Sequence, residues 1–193
     1  MSNPEHPTLM NCAMNFGAVV GLYYIGKFCL FPLSLHSTMA ALLFLGLTLM
    51  VPVFVYRLVK RYRDLYNGGE IGFSQAFAFA MLTMSFGELL AAAAHYIYFA
   101  YIDGGAMVGA LVQSAESLQN VDLGELEGVN ADAITQFHQY IGLMQQTIQQ
   151  LQAMTPIDMT LGMLSNNLSW SIIVSLPIAL FVKNLKSTRQ SLN

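Results

Sequence analysis

The stretch IGFSQAFAFAMLTMSFGELLAAAAHYIYFAYI, Ile71 to Ile102, holds thirty-two residues of which only Glu88 and His95 carry charge near neutral pH. At about 1.5 Å per residue a helix of this length reaches ~48 Å, more than the ~30 Å of a bilayer's hydrocarbon core. It therefore predicts a membrane-spanning helix that tilts or projects beyond the membrane. Four basic residues, Arg57, Lys60, Arg61 and Arg63, lie just before it, and an acidic, Gln-rich segment follows it.

The rest of the chain agrees with this reading. Of 193 residues, 55% are hydrophobic and 10% charged, whereas soluble domains carry about 25% charged residues. Further apolar runs predict spans at about 13–35, 38–58 and 156–183 beside 72–102, with Pro52 expected to kink the second. The expected fold is all-α: an integral membrane four-helix bundle forming one domain, with an extracytoplasmic helical hairpin at about 103–155 between the third and fourth transmembrane helices. Residues 1–10 read as a short disordered lead without the basic n-region of a secretory signal, so the first span is expected to stay in the mature protein.

Charge sets the orientation. Seven of the eight Lys and Arg fall in Arg57–Arg63 or Lys183–Arg189, and the eighth is Lys27. Between Asp103 and Thr155 there are six acidic residues and no basic one. Positive loops stay inside, so both termini and the Arg57–Gly69 loop are expected on the cytoplasmic side. The basic cluster reads first as this topology signal and second as a contact for anionic lipid.

Within the acidic segment, Ile134, Phe137, Ile141, Met144, Ile148 and Leu151 alternate at spacings of four and three, the apolar seam of a packed helix. Met107, Leu111 and Leu118 give a weaker stripe on the preceding helix. Thr155-Pro156-Ile157-Asp158 is a helix start, with a Thr cap, Pro at the first helical position and an acid three residues on. In the first span, Gly17 and Gly21 form a G-x-x-x-G, extended back by Ala13, where another backbone can approach closely.

Ionisable residues inside spans are expensive and often functional. Lys27 and Glu88 come out at similar depth if the first and third spans run the same way, which predicts an ion pair between them. His95 follows Glu88 by two turns on the same face, an arrangement that suits either a proton relay or a satisfied structural pair. Asn166 and Asn167 can supply interhelical hydrogen bonds. Cys12 and Cys29 lie ~25 Å apart on one helix, too far for a disulfide. No nucleophile motif, phosphate-cradling loop or metal-ligand spacing appears, and His138 reads as a solvated face residue. The chain is thus expected to be no enzyme, with no cofactor, no metal and no nucleic-acid partner.

Three motifs stand in order: Tyr62-Arg63-Asp64; Asn67-Gly68-Gly69-Glu70-Ile71-Gly72-Phe73-Ser74-Gln75-Ala76-Phe77; and His95-Tyr96-Ile97-Tyr98-Phe99-Ala100-Tyr101-Ile102-Asp103. Together they resemble the domain-of-unknown-function family 4199, uncharacterised four-helix inner-membrane proteins found mainly in Bacteroidota. The resemblance implies a four-helix envelope protein associated with lipid-linked glycosyltransferase machinery, and it carries no catalytic residues. Two functions follow. One is a non-enzymatic accessory or scaffold subunit that contacts membrane lipids and meets a protein partner, or another copy of itself, through the outer hairpin or the small-residue helix faces. The other is a small oligomeric transporter or channel using Lys27, Glu88 and His95.

Overall fold

The computed structural model describes residues 8–120 and 131–184. These residues form α1 (Leu9–Phe28), α2 (Leu30–Ser34), α3 (Thr38–Tyr66), α4 (Phe73–Tyr101), α5 (Ala106–Gln119), α6 (Ala131–Ala153) and α7 (Pro156–Val182), with no strand among them. Four segments, Leu9–Ser34, Thr38–Tyr66, Phe73–Tyr101 and Pro156–Val182, are long and apolar enough to cross a membrane. The protein is an all-α membrane protein.

Helix α4 is the centre of the bundle and packs most extensively on α1 and α7. Small and apolar residues at three- and four-residue spacing make its inner face: Ala76, Phe79, Ala80, Thr83, Gly87 and Ala91 are all buried. Gly17 and Gly21 of α1 press against that face. A Cβ on Gly17 would lie 2.5 Å from Phe86 Cβ, one on Gly21 would lie 2.9 Å from Leu90 Cβ, and one on Gly87 would lie 2.7 Å from Val20 Cγ1. Three glycines thus let two backbones meet, which supplies the close van der Waals contact that drives helix association in lipid. The G-x-x-x-G face is occupied within the chain.

Several sequence boundaries shift. Helix α1 begins at Leu9, where the Thr8 hydroxyl accepts from the Asn11 N–H, so Leu9 and Met10 belong to the helix and not to a disordered lead. Pro32 sits inside the five-residue α2, which prolongs the first span to Ser34. Its place near the start of that helix, where an N–H has no partner to lose, makes it tolerable. Helix α3 carries the whole basic cluster and stops at Tyr66, beyond the expected end at 58. There the N–H groups of Asn67 and Gly69 both donate to the Arg63 carbonyl. Gly68 and Gly69, at φ 62° and 86°, take the left-handed turn that reverses the chain.

Two apolar clusters hold the bundle. The larger joins α1, α3, α4 and α7 around Phe79, Val20, Val55, Val59 and Val182. Phe79 is fully buried and stacks on Tyr62 at 3.9 Å between centroids. The smaller gathers Phe28, Tyr98, Phe99 and Met107, with Val108, Leu151 and Met159 against them, and so seats α5 and the end of α6 on the bundle.

Helices α5 and α6 lie against one another. Along α6 the buried or half-buried side chains are those of the predicted seam: Ile141 and Ile148 are buried, and Ile134, Phe137, Met144 and Leu151 are partly covered. The intervening Gln residues are exposed, as is His138. The link expected to close a hairpin, 121–130, lies outside the described residues. Helix α7 opens with the capping box read from the sequence: Thr155 Oγ1 accepts from the Asp158 N–H, and the Asp158 carboxylate accepts from the Thr155 N–H at 3.0 Å.

Candidate functional site

Between the two apolar clusters is a cavity of about 270 Å³ lined by Tyr24, Lys27, Phe28, Phe31, Phe44, Glu88, His95, Met163, Asn166 and Asn167. Every intramembrane polar residue singled out in the sequence is on its wall. Helix pairing explains why. Helix α1 runs alongside α4 in the same direction, with Phe16 against Phe79 and Phe28 against His95 and Phe99. Helix α7 runs oppositely, so Asn167 meets Glu88 while Asn184 meets Ile71.

The expected Lys27–Glu88 ion pair is absent. No nitrogen–oxygen approach within 4.0 Å joins them; among the described residues the ion pair is Arg63 with Asp64. Glu88, buried, instead accepts at Oε2 from Asn167 Nδ2 at 2.9 Å. Lys27 turns its amino group toward aromatic faces, 5.4 Å from the ring centroids of both Tyr24 and Phe44. The physical reason is competition. Neutral Asn167 on α7 reaches the carboxylate directly, while Lys27 has two π faces that stabilise a cation. The two charges therefore share one cavity without touching. His95 is also buried: its ring packs edge-on against Phe28 at 4.2 Å, and its Nδ1 has no hydrogen-bond partner. A buried unpaired polar atom costs about 1–3 kcal/mol.

On the side of the basic cluster the bundle is tied shut. Arg63 Nη1 donates to the Val182 carbonyl at 3.1 Å, satisfying one of the free acceptors at the end of α7. Its Nε donates to Asp64 at 2.8 Å. Ile71 and Asn184 exchange two backbone hydrogen bonds, at 3.0 and 3.1 Å. The basic cluster therefore splits: Arg57, Lys60 and Arg61 are exposed, whereas Arg63 turns inward as a structural clamp.

At the other end Asp103 is buried, its carboxylate accepting from the N–H groups of Gly105 and Met107, both at 3.1 Å. Gly104 and Gly105, at φ 53° and 88°, let the chain fold back over that carboxylate. Asp103 thus starts α5 where the Tyr-rich end of α4 stops.

Sequence reading missed Gly87 and the aromatic walls. A signal for Gly87 exists in Thr83, Gly87 and Ala91, small residues four apart that match the stripe on α1. Phe28, Phe31 and Phe44 give none, since Phe is as common facing lipid as facing a cavity. Among the described residues, no cluster of three His, Cys, Asp or Glu could hold a metal ion.

Comparison with known proteins adds a family. The chain belongs to the family described as "Protein of unknown function (DUF4199)", whose model matches residues 15–184, from α1 through the strap at Asn184. No curated protein and no solved structure matches it.

Proposed function

We propose that the protein is a non-enzymatic accessory subunit of a bacterial inner-membrane complex, which holds a partner and does not conduct. The observation that carries this reading is the packing between the cavity and the basic end. There Phe79, Val55, Val59, Ala76, Ile71 and Val182 are each 2% exposed or less. Polar groups gathered at mid-bundle thus meet a close-packed plug, in which the hydroxyls of Thr83, Ser171 and Ser175 are also fully buried, which suits holding better than passing. The oligomeric transporter built on Lys27, Glu88 and His95 would need that plug to part.

The partner surface is α6 with α5. Their apolar seam is spent on each other, and α6 presents Gln139, Gln146 and Gln150, all exposed, along its outer side. We place this pair outside the cytoplasm, both termini inside, and take the lipid-linked glycosyltransferase machinery implied by the family resemblance as the first partner to seek. Affinity purification from mildly solubilised membranes should recover a co-purifying protein that is lost with Gln139→Lys, Gln146→Lys and Gln150→Lys combined. A chain that purifies alone, yet carries protons or small solutes into proteoliposomes in a manner abolished by Glu88→Gln, would reverse the reading. Thiol labelling of Ser74→Cys and Ser114→Cys in a background free of Cys12 and Cys29 should mark opposite faces of the membrane.

A further inference from the structure

The cavity opens sideways. From Met39 to Met50, on the outer half of α3, only Ala40 is buried. That half leans on α1 and α2, through the Tyr23 hydroxyl donating to the Leu47 carbonyl at 2.6 Å and Phe31 beside Phe44 at 6.2 Å. Near the basic end α3 returns to α7, where Pro52 and Tyr56 face Pro177 and Phe181 across a shallow cleft. The gap thus left between the outer half of α3 and α7 is the mouth, with Phe44 on one lip and the exposed Asn166 on the other. In a bilayer that mouth faces lipid and not water.

The geometry points to a binding site for a zwitterionic aminophosphate, the headgroup of a membrane lipid entering between α3 and α7. Lys27 offers a cation with no carboxylate within 4.0 Å, which suits a phosphate oxygen. Glu88 offers a carboxylate of which Asn167 engages one oxygen, which suits an ammonium. His95 is 6% exposed, lines the same cavity and leaves Nδ1 unpartnered. Whichever nitrogen of the ring carries the proton, Nδ1 completes itself against such a headgroup, accepting from the ammonium or donating to the phosphate. Phe28, Phe31 and Phe44 supply an apolar collar for the first carbons beyond the phosphate. At about 270 Å³ the cavity falls below the ~300–1,000 Å³ of pockets that enclose drug-sized ligands, so it admits a headgroup while the chains stay in the bilayer.

Native mass spectrometry of the full chain, exchanged into an equimolar mixture of phosphatidylethanolamine, phosphatidylcholine and phosphatidylglycerol, tests this. Phosphatidylethanolamine alone has both the phosphate and N–H donors. It should be retained about tenfold over each of the others, the factor that one charge-assisted hydrogen bond supplies. Glu88→Met, which removes the acceptor together with its charge, should erase the preference over phosphatidylcholine, and Lys27→Met should weaken retention of all three. The lipid ranking on the unaltered chain needs neither variant to fold. Free phosphoethanolamine that displaces the lipid at millimolar concentration would assign the same chemistry to a soluble solute; failure to displace it assigns the lipid. Equal retention of the three lipids, preference for phosphatidylglycerol, no bound lipid, or a preference that survives in folded Glu88→Met would each overturn the assignment.

Discussion

The two ends of the bundle are built on opposite rules. Toward the basic cluster, α3, α4 and α7 interlock: Tyr62 stacks on Phe79, Arg63 caps α7, and Ile71 pairs with Asn184. Toward the other end α3 swings away from α7, and the space it leaves is lined by one cation, one carboxylate, an imidazole and two amides. The difference shows where the sequence spends stability and where it withholds it. Regions that bind or move are drawn from the loosely packed end of a structure, and here one bundle provides both a rigid base and an incomplete wall.

The sharpest way to break the contrast is to hollow out the base. Phe79→Ala would remove a fully buried ring and orphan its stack with Tyr62. Lipid removes most of the hydrophobic drive between helices, so the loss is one of packing and cavity, about 3 kcal/mol at the lower end of such truncations. Reversible unfolding in mixed micelles should show it, while Phe44→Ala at the open wall should cost far less. Equal losses at the two sites would mean that the ends are packed alike.

Next in size is the glycine contact. Gly17→Ala places a methyl 2.5 Å from Phe86 Cβ, and that atom cannot withdraw without moving α4. Overpacking of this kind costs about 1–3 kcal/mol. Gly26→Ala in the same helix meets nothing within 4 Å and should be neutral or slightly stabilising. Were both variants to melt like the parent, α1 and α4 would not be in backbone contact.

These two helices show how far the sequence could be read. Hydropathy and charge suffice for the spans, because no other structure tolerates such apolar runs, and the seam of α6 and the cap of α7 follow from local periodicity and hydrogen bonding. Gly17 and Gly21 announced a close contact but not its partner. Partner choice depends on which faces of four apolar helices meet, and an apolar face looks the same toward lipid as toward protein. The polar cavity residues were legible for the converse reason, since a charge in lipid always needs explaining. Which of them would bond was not legible. Asn167 displaced Lys27 as the neighbour of Glu88 because helix rotation, a matter of a few ångströms, decides between groups at equal depth.

Arg63 gives the next effect. It is half-buried and donates to the free carbonyl of Val182, a charge-assisted bond worth about 1.5–3 kcal/mol. Arg63→Ala should lose the lower part of that range, because water can reach the site. Arg61→Ala, exposed and outside the clamp, should leave stability unchanged. The comparison separates a basic residue that holds the base together from one that only marks its side of the membrane. A loss that is the same for both would return Arg63 to the undivided cluster.

The smallest effect is at the open end and decides how the cavity is wired. Double-mutant cycles measure coupling only between groups that interact. Hydrogen bonds between transmembrane helices couple by about 0.6 kcal/mol on average and at most about 1.7. Glu88 with Asn167, joined at 2.9 Å, should fall toward the upper part of that range because the acceptor is a carboxylate. Lys27 with Glu88, lacking any approach within 4.0 Å, should couple more weakly. The cycles would use Glu88→Met with Asn167→Ala and Glu88→Met with Lys27→Met, since Met removes both acceptor and charge, each read as unfolding free energy in the same micelles. If Lys27 coupled the more strongly, the two charges would close on each other in the empty protein. The wall would then be complete without a ligand, and the contrast between a finished base and an unfinished mouth would disappear.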